Sequence, residues 1–89
     1  MIAQRLAEDA IIDILEAEYL PLYKIHLWFS DETERIVDFE PFLRTAQHWE
    51  IRKYLDLKLF RDFSIAHGQL NWHDYELCFS MQDLYEGTV

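Results

Sequence analysis

The segment Tyr23-Lys24-Ile25-His26-Leu27-Trp28-Phe29 constrains the fold more than any other stretch of this chain. Tyr23, Ile25, Leu27 and Phe29 alternate with Lys24, His26 and Trp28. A period of two puts the first set on one face of a β-strand and the second set on the other. Ser30-Asp31-Glu32 is turn chemistry, and Arg35-Ile36-Val37-Asp38-Phe39 follows as an antiparallel return. Pro41 cannot donate to a ladder, so it blocks further pairing and opens a short helical turn through Phe42 and Leu43.

The rest of the chain reads as short elements around this hairpin. Ile51, Leu55 and Leu59 recur every four residues with Tyr54 beside them, which predicts one short amphipathic helix. From Asp62 to Ala66, Phe63 and Ile65 share a face, His67-Gly68 supplies a turn, and Leu70 and Trp72 return. Leu77 and Phe79 mark a further short strand. Ser80-Met81-Gln82-Asp83 then resembles a capping box: the serine oxygen caps the Asp83 amide and the Asp83 carboxylate reaches back. Leu84-Tyr85-Glu86 continues that helix, and Gly87 suits its end. The N-terminal segment fits a helix by its four-residue spacing and a strand by its β-branched run at Ile11-Ile12-Asp13-Ile14. We divide it into a helical turn or two over residues 2–8 and a strand near 10–18. The expected fold is α+β, a small antiparallel sheet of about four to six strands with two or three short helices, in a single domain spanning 1–89.

Charge narrows the function classes. Seventeen acids against eight bases leave a net charge of -9 in 89 residues, which opposes neutralisation of many phosphates. The balance is patterned: residues 41–61 hold Arg44, Arg52, Lys53, Lys58 and Arg61 against Glu50 and Asp56, a basic island in an acidic chain. It reads either as a solvated helix face or as a docking patch for an acidic partner. Cys78 is the one cysteine, so no intrachain disulfide forms, and the context is reducing. Acids stand at the N-terminus where a signal peptide would be apolar, and no apolar run is long enough to span a bilayer, which points to the cytoplasm.

Catalytic constellations are not evident. His26, His48, His67 and His73 lack metal-ligand pair spacing, and no cofactor motif is present. Ser30, Ser64 and Ser80 have structural roles as turn, strand exterior and cap. Cys78, between Leu77 and Phe79, reads as a small core residue. Trp28 and His26 point away from the face of Ile25 and Leu27. Either a helix covers that second face and takes Trp28 into the core, or Trp28 is exposed and anchors a partner. The candidate contact residues are His26 and Trp28 on the strand, together with Trp49, Arg52, Lys53 and Lys58 in and beside the basic island.

From Tyr23 onward the chain resembles the bacterial domain-of-unknown-function family 2442. The strand Tyr23-Lys24-Ile25-His26-Leu27-Trp28-Phe29-Ser30-Asp31 and the return Ile36-Val37-Asp38-Phe39-Glu40-Pro41-Phe42-Leu43 are similar to that family's opening hairpin. Leu55-Asp56 through Phe60 and Phe63 follow in order. Gly68-Gln69-Leu70-Asn71-Trp72, Glu76-Leu77 and Leu84-Tyr85 are similar to its closing motifs. Two departures stand out. Glu32 replaces a glycine after the turn aspartate, which predicts a different hairpin turn, and His73-Asp74-Tyr75 replaces Pro-Asn-Gly.

The resemblance implies a small α+β fold with no catalytic motif, and a gene beside that of another small protein, in an arrangement like a toxin–antitoxin pair. Some relatives add a helix-turn-helix domain, for which this chain has no room. The family supplies no functional residue to carry over. The expected function is a non-enzymatic protein–protein interaction module whose partner is a neighbouring gene's product, antitoxin-like in its pairing. Alternatives are a regulatory nucleic-acid-associated protein or an acidic DNA mimic and, less favoured, a small metal-dependent or hydrolytic enzyme. Self-association stays open.

Overall fold

The computed structural model describes residues 12–73, 75–87 and 89. The helical turn expected over 2–8, and the first residues of the strand expected near 10–18, lie outside the described residues.

The first sheet follows from the alternation. Strands β1 (Ile14–Leu20), β2 (Lys24–Phe29) and β3 (Glu34–Asp38) pair antiparallel in the order β1-β2-β3. Ile25, Leu27 and Phe29 are buried, while Lys24, His26 and Trp28 are half-buried on the opposite side. The β1 register shifts between Ile14 and Glu16, and Leu15 lies in that irregularity with 66% of its surface exposed. The extra residue lets Ile14 and Ala17 both reach the core side, whereas strict alternation would separate them. Pro21 ends β1 because it has no amide to donate, and Leu22 and Tyr23 turn the chain with φ of 67° and 63°. The strand begins at Ile14, four residues after its expected start, and runs two residues past its expected end.

The β2–β3 turn is closed by two backbone hydrogen bonds. Phe29 N donates to Thr33 O at 2.8 Å, Glu32 N donates to Phe29 O at 3.1 Å, and Glu32 has φ 72°. This is a three-residue loop closing on a left-handed residue, the conformation a glycine most readily supplies. Tyr75 is likewise left-handed, with φ 69°.

A second antiparallel sheet holds β4 (Phe63–Ala66), β5 (Gln69–Trp72) and β6 (Leu77–Cys78), in the order β4-β5-β6. The six strands thus form two three-stranded sheets, where a single sheet was expected. Gly68 joins the sheets: its carbonyl accepts from Ile14 N at 2.9 Å, it has φ 76°, and an added Cβ would lie 2.3 Å from Asp13 Oδ1. Only glycine fits both constraints.

Among the described residues there are four short α-helices: α1 (Glu40–Thr45), α2 (Trp49–Arg52), α3 (Leu57–Phe60) and α4 (Met81–Glu86). The single helix expected through Ile51, Leu55 and Leu59 is instead α2, a 3-10 turn (Lys53–Leu55) and α3. Asp56 breaks it with ψ 118°, and its side chain caps the Lys58 amide. Tyr54 and Phe60 are the buried residues there, and Ile51, Leu55 and Leu59 are only half-buried. Ser80 caps α4 through the Asp83 amide at 3.1 Å, and Gly87 ends it with φ 78°. Cys78 is exposed: Leu77 faces the core, and strand alternation turns its neighbour outward, against the core role expected for the thiol.

The core gathers both sheets around Trp72. Its indole meets Phe39, Tyr54, Phe60, Phe63 and Phe79 at ring distances of 5.7 to 6.2 Å, and its Nε1 donates to Phe60 O at 2.7 Å. The inner face of β1–β3 packs into this cluster.

Candidate contact surface

Antiparallel partners point to the same side of a sheet, so the register fixes what shares a face with Trp28. Three rows cross the outer face of β1–β3: Glu16–Trp28–Glu34, then Glu18–His26–Ile36, then Leu20–Lys24–Asp38. Four carboxylates therefore stand with one lysine around a tryptophan and a histidine. The imidazole of His26 stacks on the Trp28 indole at 3.9 Å between ring centroids and 12° between planes. His26 Nε2 lies 2.9 Å from Glu34 Oε1, which orients the ring. Beside the stack, a shallow depression of about 320 Å³ is lined by His26, Glu34, Arg35 and Ile36, and Ile36 is 55% exposed.

Among the described residues, Trp28 is neither buried under a helix nor fully exposed. No described helix packs over the outer face: α4 lies against β3 through Arg35, which faces inward, and Arg35 Nε donates to Tyr85 O at 2.7 Å. Trp28 is half-buried instead by the histidine beside it.

Within the basic island the cations differ in their surroundings. Lys53 Nζ donates to Glu76 at 2.9 Å and sits 3.6 Å from Glu50, so its charge serves the fold. The hydrogen bond with Glu76 raises the Lys53 pKa. On the same carboxylate, Tyr54 Oη donates to Glu76 at 2.6 Å, and this bond, then Lys53, holds the Glu76 carboxyl below its usual range. Burial first, and then the Glu76 carboxylate, pushes the Tyr54 phenol up. His73 lies between Asp62 at 2.9 Å and Glu76 at 3.7 Å. Arg52 and Lys58 are exposed. Trp49 is 73% exposed and borders a groove of about 430 Å³ with Arg52, Lys53, Leu55 and Asp56. The structure thus joins His26 to Trp28 and Trp49 to Arg52, and it draws Lys53 into a structural network.

Sequence reading missed Glu16, Glu18, Glu34 and Ile36 as members of the outer face. The signal was the alternation Glu16, Glu18, Leu20, which becomes readable only once β1 is placed and its bulge known. Among the described residues, no three of His, Cys, Asp and Glu converge as metal ligands, and no helix is long and apolar enough to cross a membrane.

No curated protein and no solved structure matches the chain. The family model described as Protein of unknown function (DUF2442) matches residues 14–89, which begins at the first residue of β1 and takes in both sheets and all four helices. With that match covering most of its length, the chain belongs to the DUF2442 family.

Proposed function

We propose that this chain is a non-enzymatic protein-binding module whose contact surface is the outer face of β1–β3, and that it acts as the acidic, antitoxin-like member of a two-gene pair. The carrying observation is the His26–Trp28 stack on a face that no described helix covers. A large aromatic held rigid in a polar, solvent-facing rim is the usual anatomy of an interface anchor, because ordering it costs little on binding. Exposed Ile36 in the adjoining row extends the apolar centre, and the carboxylates form the rim. The resemblance to paired genes supports a neighbouring gene's product as the partner.

A second surface competes with this one. Trp49 is more exposed than any other large apolar residue of the described chain, and it stands beside Arg52. Calorimetry of the neighbouring gene's product against wild type, Trp28→Ala and Trp49→Ala separates the two. Loss of an anchor weakens binding by about tenfold or more. The sheet reading expects that loss for Trp28→Ala alone. Loss for Trp49→Ala alone would transfer the function to the groove, and an affinity indifferent to Trp28→Ala would remove the sheet face.

A further inference from the structure

We infer that the outer sheet face docks an arginine-bearing segment of a partner protein, with Trp28 as the platform on which a guanidinium lies. This rests on the reading of that face as the contact surface and adds the chemistry of the occupant. Charge complementarity argues for it. In the described cross-strand rows Glu16, Glu18, Glu34 and Asp38 face the same side as Trp28, with Lys24 as the basic residue of those rows and Arg35 at the edge of the adjoining depression. Glu16 and Glu34 flank Trp28 directly, one strand spacing away on each side, about 4.8 Å. A guanidinium over the indole therefore has the Glu16 carboxylate on one side and, on the other, the Glu34 carboxylate, whose Oε1 also meets His26 Nε2.

Arginine suits this arrangement better than lysine. Its planar cation stacks on an aromatic face and gives a carboxylate two parallel hydrogen bonds, where an ammonium acts as a point charge. His26 covers one side of the indole and fixes its plane, so the ring is set before a ligand arrives. Glu18 lies two residues along β1 from Glu16, about 6.7 Å. That matches the spacing of alternate side chains on an extended peptide, so two arginines separated by one residue meet two acidic rows. A second copy of this chain is disfavoured on this face, since it would bring like charge to like charge. Nucleic acid is disfavoured for the same reason.

The test uses the full chain and an acetylated, amidated Gly-Arg-Gly-Arg-Gly peptide, with its lysine and its citrulline counterparts. Proton–nitrogen correlation spectra are recorded for wild type, Trp28→Ala and the Glu16→Gln/Glu34→Gln pair. The expected result is a saturable shift of the Trp28 indole N–H together with the amides of Glu16, Glu18 and Glu34. The order of affinity is arginine, then lysine, with no saturable shift for citrulline. Affinity falls at least fivefold in the glutamine pair and with rising salt.

Shifts scattered over all acidic segments, or shifts equal in the glutamine pair, would overturn the inference. So would binding of the citrulline peptide as tight as that of the arginine peptide, which would mark an apolar partner. In those cases a partner complex still lost in Trp28→Ala would leave the contact surface standing, and only the arginine chemistry would fail.

Discussion

The two faces of the β1–β3 sheet are built from the same strands and differ sharply in burial. Inward, Ile25, Leu27 and Val37 lose all contact with solvent and meet the aromatic cluster around Trp72. Outward, Trp28 is the same strand's largest side chain, yet it packs against one histidine and stays half-exposed. The inner face is the buried one. On the proposed reading, the outer aromatic is surplus to the fold and is held in a fixed geometry for recognition.

That contrast is most sharply broken or kept by adjacent residues of β2. Leu27→Ala should lower stability by about 2–5 kcal/mol in urea unfolding, because the cavity lies inside a packed core. A cost for Leu27→Ala below about 1 kcal/mol would mean that the inner face is not the seat of stability.

The hairpin between β2 and β3 offers a smaller and opposite effect. Glu32 holds φ 72°, a conformation costing a side-chain-bearing residue roughly 1–2 kcal/mol, part of which a glycine returns as entropy of the unfolded chain. Glu32→Gly should therefore raise stability by about 1 kcal/mol and leave the outer face unchanged. A drop in the urea midpoint would show that Glu32 makes contacts outweighing its backbone strain.

The smallest effect separates acids used by the fold from acids on the rim. Hydrogen bonds from Tyr54 and Lys53 depress the Glu76 carboxyl. At Asp31, burial opposes the charge, but hydrogen bonds from Tyr85 at 2.5 Å and from Thr33 outweigh it and lower the pKa. A carboxyl that ionises at lower pH in the fold than in the unfolded chain stabilises fully above the unfolded value, near 4. That contribution is lost as pH falls through the lower, folded value. Glu76→Gln should flatten the decline of stability below about pH 5. A slope matching wild type would detach Glu76 from the acid response.

Much of this was legible in the sequence. The alternation from Tyr23 to Phe29 sets which side chains face inward, since a strand allows only two directions. The Ser80 cap and the glycine end of α4 were likewise local signals that the fold leaves intact. The helical stretch was misread because apolar spacing alone cannot register a breaker. Asp56 competes for the Lys58 amide, and the predicted helix divides there. The outer face was half legible: His26 and Trp28 were named from β2, but Glu16 and Glu34 become its neighbours only through cross-strand register. That Lys53 meets Glu76 was not legible, because that partner lies 23 residues away, beyond any local pattern.

The account turns on the separability of binding from folding at Trp28, and one preparation of Trp28→Ala measures both. Urea unfolding and calorimetric titration with the neighbouring gene's product are run on the same folded sample. The account predicts a stability loss well below that of Leu27→Ala, together with an affinity loss of about tenfold or more. Wild-type affinity in the folded variant, or a stability loss as large as that of Leu27→Ala, would contradict it.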